Sequence, residues 1–517
     1  MNNKWWTLAA VCTGVFMLLL DITVVNVALP DIQRSLHSSF SDLQWVVNAY
    51  ALTIAAFLLT AGVVGDMFGR RRLFAIGLGA FSAASLLCGF SGSSTMLDFA
   101  RAVQGIGGAI MLATSLALIA AAFSGKERGT AFGIYGAVLG GAVAIGPLVG
   151  GALTGGIGWR WIFFVNVPIG LAAIVMTLTR IQESRDPNQR RIDWAGFVSF
   201  SLALFLLVFA LVRGNDEGWG STEIVALLIG SGALMAFFLV AEWRQDDPML
   251  DLALFKRPAM VGVSLATFSI AGSMFAMFLY ITLYMQDVLG YGPLATGVRF
   301  LPLTLIAFAA APISGNLTTR LPSRFLLSGG LAIVGLALIL MSSVDAASSW
   351  TVLLPAFIVG GVGIGVANPV IASASVAVVP PQRSGMASGS SNTFRQVGLA
   401  TGIAGLGAIF QSQVPTKAFA ALAKTSAGRQ LVVHGVRQLH AAFIDGGVRQ
   451  VAAMYPRSAS RVLLHAYAVG FTASFRDLVT IAGVLAFVGA VAALVLIRQR
   501  DFVPSFSAAS SQPVDSS

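Results

Sequence analysis

Fourteen separate runs of about 20 predominantly apolar residues limit what this chain can fold into. They fall near 5–29, 43–64, 73–91, 97–120, 131–155, 161–179, 194–212, 222–241, 258–284, 294–314, 326–344, 351–376, 389–411 and 478–497. A helix of that length crosses the hydrocarbon core of a bilayer, where only helices and closed barrels satisfy their own backbone. The rest of the composition leaves no soluble alternative. Charged residues are 10% of the chain and the AVILMFWYC set 56%. A globule of 517 residues could not wrap that much apolar surface in a wet exterior. The expected fold class is an all-α polytopic membrane protein with fourteen transmembrane helices, and the lipid bilayer is its first partner.

A net charge of +10 invites a nucleic-acid reading, but the placement of the basic residues answers to topology instead. With the N-terminus inside, the short inner segments hold Lys4, Arg70, Arg71, Arg72, Lys126, Arg128, Arg180, Arg185, Arg190, Arg191, Arg244, Lys256, Arg257, Arg320, Arg324, Arg383, Arg498 and Arg500. The short outer loops hold Arg34, Arg160 and Arg213. Lys and Arg near span ends resist translocation, so eighteen against three puts both termini in the cytoplasm of a cytoplasmic-membrane protein. No nucleic-acid partner is expected. Two cysteines, Cys12 and Cys88, allow neither a disulfide framework nor a thiolate metal site. The first apolar run carries Asp21 and lacks a small-residue cleavage site, so no cleaved signal peptide is expected.

The helices divide as six, two and six. A polar inner linker begins at Arg180 (RIQESRDPNQRRID) and precedes two spans that separate the two groups. The expected domains are a first bundle over 1–180, a linker with two additional spans over 181–257, and a second bundle over 258–500. A disordered cytoplasmic tail over 501–517, rich in Ser, closes the chain. The second bundle contains an outer loop, 412–477, with eight basic residues against Asp445 and Asp477. It reads equally as short amphipathic helices or as irregular chain. A 6 + 2 + 6 order suggests an internal duplication. The sequence echo is faint: Gly62-Val-Val-Gly-Asp66-Met-Phe-Gly69-Arg70 against Gly315-Asn-Leu-Thr-Thr-Arg320, the acid being replaced by Thr319.

Asp21 is the acid set deepest in any span, about four turns into the first. An aspartate at the bilayer centre costs ~3 kcal/mol on insertion scales, a cost that taking up a proton removes. It is the candidate proton site; the alternative is a structural aspartate bonded permanently to a neighbouring helix. Arg101, in the fourth span, is its expected counter-charge, unless it serves only as a packing salt bridge. Arg101, Gly105 and Gly108 share a face by their i, i+4, i+7 spacing, and the glycines admit a close neighbour. The fifth span carries Gly136, Gly140, Gly141, Ala144, Gly146, Pro147, Gly150 and Gly151. These small residues permit tight helix contact, with a bend at the proline.

These stretches together resemble the major facilitator superfamily, and within it the fourteen-span drug:proton antiporters, over roughly residues 5–412. LLDITVVNVALP looks like that branch's first-helix signature. GVVGDMFGRRRL is similar to the superfamily's loop between spans two and three, RAVQGIGGA to its fourth-span motif, and GAVAIGPLVGGAL to its antiporter motif. WRWIFFVNVPIG, YMQDVLGYGPLATGVRFLP and GMASGSSNTFRQVGLATG look like further stretches typical of the branch. The resemblance implies two six-helix bundles rocking about a midplane cavity, two added helices at the side, and export of small amphipathic drugs or antibiotics in exchange for protons. It gives Asp21 and Arg101 the proton coupling and makes Gly62, Asp66, Gly69 and Arg70 a cytoplasmic latch. It makes Gly140, Gly146, Pro147, Gly150 and Gly151 the antiporter motif. Asn26, Gln104 and Arg395 are candidates for the cavity wall, as is Arg299, although snorkelling or helix-end pairing would serve the two arginines as well.

A dedicated exporter of one native metabolite or self-made antibiotic has the same sequence pattern, and a substrate panel separates it from a multidrug pump. Other classes fare worse. A membrane enzyme would need paired carboxylates or histidine clusters within the membrane, whereas His37, His434, His440 and His465 all fall outside the expected spans. No GxxxxGK[ST] loop is present for ATP-driven pumping. The expected partners are thus a small-molecule substrate and protons, with no cofactor, no metal and a monomeric working unit.

Overall fold

A computed structural model describes residues 3–123, 125–184, 193–245, 248, 250–318, 320–378, 384–444, 447–498 and 501–502. At some helical positions, Asp66, Gly140 and Ser388 among them, it describes the backbone alone. The described residues are helices joined by short turns. The first group is α1 (Asn3–Leu36), α2 (Phe40–Phe68), α3 (Arg70–Gly89), α4 (Ser94–Ala122) and α5 (Gly125–Gly156), then the pair α6 (Trp161–Phe164) and α7 (Asn166–Arg180). Next come α8 (Trp194–Glu217) and α9 (Thr222–Arg244). The second group is α10 (Pro258–Ile270) and α11 (Ala276–Leu283), continuous through a π-helical turn, then α12 (Pro293–Leu317), α13 (Ser323–Leu340), α14 (Leu354–Ala377), α15 (Ser384–Leu422), α16 (Ser426–Ile444), α17 (Val448–Ala453) and α18 (Arg457–Leu496). Thirteen helical stretches among the described residues are long and apolar enough to cross a membrane. With α5, of 32 residues, they make fourteen.

Helix starts follow the local sequence. Ser39 and Asp42 form a reciprocal capping box that opens α2, and Ser93, Asp193 and Ser221 cap α4, α8 and α9 through their side chains. Within each group the same helix pairs recur: α2 with α4 and α3 with α4 in the first, α12 with α14 and α13 with α14 in the second. The duplication that was faint in the loops is clear here. In α4, a Cβ on Gly105 would lie 2.6 Å from Tyr50 O of α2, and one on Gly107 2.6 Å from Phe81 N of α3. In α14, one on Gly361 would lie 2.5 Å from Leu303 O of α12, and one on Gly363 2.8 Å from Val334 N of α13. A Gly-x-Gly pair wedges the fourth helix of each bundle between the second and third.

The bundles meet along α5 with α12 and α2 with α15, and α8 leans on α2 and α15. We call the end carrying Lys4 and Arg70–Arg72 the basic end and the opposite one the far end. Gln44 Nε2 donates to Ile403 O (2.8 Å), Gln411 Nε2 to Ser41 Oγ (3.2 Å) and Gln286 Nε2 to Val27 O (2.8 Å), all toward the far end. Asp216 of α8 accepts from Ser41 Oγ at 3.3 Å, tying an added helix into this seam. Toward the basic end, open space lies beside Gly136 and Gly141 of α5. α2 and α15 stay together further down, where Leu59 faces Gly389.

The segment expected as an outer loop, 412–477, is helical. α15 continues to Leu422, α18 starts at Arg457 instead of near 478, and α16 and α17 lie between them. Leu431, Leu439, Ala442 and Phe443 recur on one face of α16 and are buried in the core that also holds Val451, Leu463, Tyr467 and Phe471. The basic residues that dominate its composition, Arg429, Arg437, Arg449, Arg457 and Arg461, occupy the exposed faces. Lys417 pairs with Asp477 at 2.6 Å, and Arg476 Nε donates to Val344 O at 2.8 Å. The expected tail beyond Phe502 and most of the polar linker (185–192) lie outside the described residues.

Candidate functional site

Four helices close a polar ring around Asp21. Arg101 Nη1 donates to Asp21 Oδ2 at 2.5 Å, an ion pair between two residues that are each 1% exposed. Gln104 Nε2 and Asn166 Nδ2 each donate to Asp21 Oδ1 at 3.0 Å. Arg101 Nη1 also reaches Gln104 Oε1 (2.7 Å), its Nε donates to Val46 O (3.0 Å), and its guanidinium lies 4.1 Å from the centre of the Tyr50 ring. Asn166 Nδ2 further donates to Ser85 Oγ (3.1 Å), which in turn donates to Phe163 O (2.8 Å). A buried charge is tolerable only when paired and hydrogen-bonded, and both conditions hold here. The i, i+3 spacing of Arg101 and Gln104 turns both toward α1, and Gly105 lets α4 lie close enough to α2 for Arg101 to reach Val46.

The sequence pointed to Asp21 and Arg101, and the structure brings them together. Gln104, expected on the cavity wall, is instead a fully buried member of the ring. Asn166, Ser85 and Tyr50 were missed. Asn166 stood inside the quoted WRWIFFVNVPIG stretch, where an amide followed two residues later by Pro168 in an apolar run was the available signal.

α5 carries the ring's surroundings to the seam. A Cβ on Gly146 would run into the Thr23 hydroxyl of α1, two residues from Asp21, and one on Gly150 would lie 2.9 Å from Val24 O. On the other side of α5, a Cβ on Gly151 would lie 2.6 Å from Pro293 O, and one on Gly297 of α12 would run into the Pro147 carbonyl. Gly140 is described by its backbone alone.

At the basic end, Gly69 joins α2 to α3 with φ +111°, a conformation that side chains resist. Glu183, which the sequence reading passed over, accepts from Arg71 N (2.9 Å) and Arg72 N (3.3 Å) and stands where a Gly69 Cβ would go. A carboxylate is favoured at this helix N-terminus. Arg70 N donates to Ser184 O at 3.0 Å, open space surrounds Gly62, and the side chain of Asp66 lies outside the described residues, as does Thr319.

The remaining candidates scatter. Asn26 donates to Ile22 O of its own helix at 3.2 Å. Arg299 sits over Tyr291 (3.7 Å) and Trp350 (5.3 Å) toward the far end, so it is a helix-end cation on aromatic rings rather than part of a midplane site. Arg395 Nη2 donates to Asn368 Oδ1 at 3.2 Å, bonding α15 to α14 in the second bundle.

Comparison with known proteins agrees with this architecture. The sequence profile of the Major Facilitator Superfamily matches residues 11–403. The chain is 37% identical over 405 residues to the multidrug resistance protein Stp of Mycobacterium tuberculosis, covering 78% of this chain and 75% of that protein. It is 35% identical to the tetracenomycin C resistance and export protein of Streptomyces glaucescens (80% of this chain, 77% of that protein). It is 38% identical to a puromycin resistance protein of Streptomyces alboniger (78% and 81%). A solved bacterial homologue of the human lysosomal transporter Spinster, in an inward-facing and unoccupied conformation, shares the fold at 19% identity. Its TM-score is 0.62, over 97% of this chain and 99% of that one. The chain belongs to the Major Facilitator Superfamily, and is a multi-pass membrane transporter of small molecules.

Proposed function

We propose that this protein is a proton-coupled antiporter that exports small amphipathic drugs or antibiotics across the cytoplasmic membrane. The observation that carries the reading is the short path from the Asp21 ring to the seam between the bundles. Asp21 and Thr23 lie on α1, Thr23 meets Gly146 of α5, and the opposite side of α5 meets α12 at Gly151 and Pro147. A change of charge at Asp21 therefore acts one helix away from the contact that must break for the bundles to rock. Relatives at 35–38% identity whose names state multidrug, tetracenomycin C and puromycin resistance support drugs and antibiotics as the substrate class.

In this reading Asp21 carries the proton and Arg101 compensates its charge and governs its release. The basic end faces the cytoplasm with both termini, and the bundles are closed against each other at the far end. Residues 1–180 and 258–500 are the rocking bundles, 181–257 supplies the added helices, and 501–517 is a cytoplasmic tail. Asp66 and Arg70, hinged by Gly62 and Gly69, latch the outward-facing state near the start of α15. A membrane potential of about 100 mV is worth ~2.3 kcal/mol per charge, or roughly a 50-fold substrate gradient for one proton. The test is uptake of chemically diverse dyes and antibiotics into inverted vesicles, with and without an uncoupler. Uptake of several unrelated compounds that collapses with the uncoupler is expected; uncoupler-insensitive uptake would remove the proton from the mechanism.

A further inference from the structure

The ring around Asp21 is built for a carboxylate: three donors converge on its two oxygens and no acceptor faces it. A proton arriving on Asp21 turns one oxygen into a hydroxyl, which needs an acceptor in a site that is 1% exposed. Gln104 Oε1 cannot serve, because its two lone pairs already take Arg101 Nη1 at 2.7 Å and Cys88 Sγ at 3.6 Å. Asn166 can. Its Oδ1 is buried and without a partner, while its Nδ2 serves Asp21 Oδ1 and Ser85 Oγ. Rotating the amide by half a turn exchanges Oδ1 and Nδ2.

We propose that Asn166 is the switching partner of the proton site, a donor to the Asp21 carboxylate and, after rotation of its amide, the acceptor for the protonated acid. The inference rests on the proton-coupled reading above. In the rotated state the new Asp21 O–H donates to Asn166 Oδ1, and the Ser85 hydroxyl swings from Phe163 O to the same oxygen, which has two lone pairs. The Arg101 guanidinium keeps its proton throughout. Each state leaves Asn166 one unpartnered polar atom, Oδ1 before protonation and Nδ2 after it, so the amide holds neither state at the expense of the other. The position is fixed by the break between α6 and α7 at Val165, which places Asn166 at the first turn of α7, 1% exposed. The titratable groups around it are Asp21 on α1, Tyr50 on α2, Cys88 on α3 and Arg101 on α4; α7's own contribution is the neutral amide.

The experiment compares wild type, Asn166→Leu and Asn166→Asp reconstituted in vesicles, each with its melting temperature. Two transport modes are measured: uphill export driven by an imposed pH gradient, and substrate counterflow at equal pH on both sides. Asn166→Leu should lose uphill export by about tenfold while counterflow stays within about twofold, because only the proton-driven mode must protonate and deprotonate Asp21 in each cycle. Asn166→Asp, which accepts when ionised and donates when protonated, should restore uphill export with a displaced pH profile. Full uphill export by Asn166→Leu with an unchanged pH profile would overturn the proposal. So would equal loss of both modes in a folded Asn166→Leu, or failure of Asn166→Asp to restore coupling, since each marks a structural role. A wild type with no pH-driven export would instead bring down the proton-coupled reading itself.

Discussion

Two buried polar regions of this molecule are built to opposite standards. Around Asp21, both carboxylate oxygens, Arg101 Nε and Nη1 and both amide atoms of Gln104 have partners, and the orphaned atoms, Asn166 Oδ1 and Tyr50 Oη, belong to neutral groups at the edge of the ion pair. Along the seam toward the far end, Gln44 Oε1, both amide atoms of Asn48, Thr282 Oγ1 and Gln286 Oε1 are buried without one. Each such atom costs about 1–3 kcal/mol in its buried state, and that cost is recovered when water reaches it. The ion pair must survive every conformation, so its charges are satisfied within one bundle. The seam must part in every cycle, so it is held by glycine-lined backbone contact and left partly unsatisfied. An unpaired amide at Asn48 works against closure as a Leu would not.

The largest effect should come from breaking the ring. Asp21→Asn keeps the shape and removes both the charge and the proton, leaving Arg101 as an unpaired buried cation, a loss worth ~3–5 kcal/mol for a broken buried pair. Expected is the loss of uncoupler-sensitive export with protein still present in the membrane, measured as vesicle uptake against expression level. Normal export by this variant would show that the ring is structural and that the contrast with the seam has another origin.

Next comes a seam that cannot close. Gly297→Leu would drive a side chain into the Pro147 carbonyl of α5, backbone that cannot step aside. Transport should fall at least tenfold while substrate binding persists, and cysteine labelling from the far end should rise. Unchanged labelling would mean that the α5–α12 contact is not the gate.

How much of this contrast the sequence foretold differs between its halves. The helices were legible because a run of about 20 apolar residues has one stable form in lipid. Asp21 and Arg101 were legible because charges inside such runs are expensive. Asn166 was not, since a neutral amide in a helix costs little and leaves no mark on hydropathy. The orphaned atoms of Asn48 and Gln286 were invisible too, because whether an amide finds a partner is decided by helices far apart in the chain. Glu183 was overlooked for the opposite reason: in a polar linker with several charges, nothing singled out the one that would sit on α3. The outer segment stayed open between amphipathic helices and irregular chain because its composition averages a basic surface with a buried face; the recurrence of Leu431, Leu439, Ala442 and Phe443 on one helical face decides for helix.

A smaller effect sharpens the seam's side of the comparison. Asn48→Leu exchanges two unpartnered polar atoms for apolar ones and should favour the closed far end. Turnover should slow severalfold with binding from the basic end intact, and labelling from the far end should fall. Faster turnover, or no change in labelling, would show that the amide is hydrated in the closed state and adds nothing to opening.

The smallest expected effect concerns substrate charge, and it follows from Asp21 being paired with Arg101. With Asp21 ionised, its charge is spent on Arg101 at 2.5 Å, so the ring offers no free carboxylate to a ligand. Arg395, bonded to the neutral Asn368, is not balanced by an acid in that contact. A dication entering the space between the bundles would have to be desolvated without a carboxylate to receive it, which costs several kcal/mol per charge. Neutral, amphipathic or anionic aromatic compounds and monocations avoid that cost. In competition assays, a dicationic biguanide or bis-quaternary compound should displace a bound dye less well than its monocationic or neutral analogue, by roughly tenfold. Arg395→Ala should narrow that difference if the guanidinium faces the ligand. Tighter binding of the dication would mean that an acid is available outside the ring. The division between a proton site whose charges are paired and a drug path without a free acid would then be wrong.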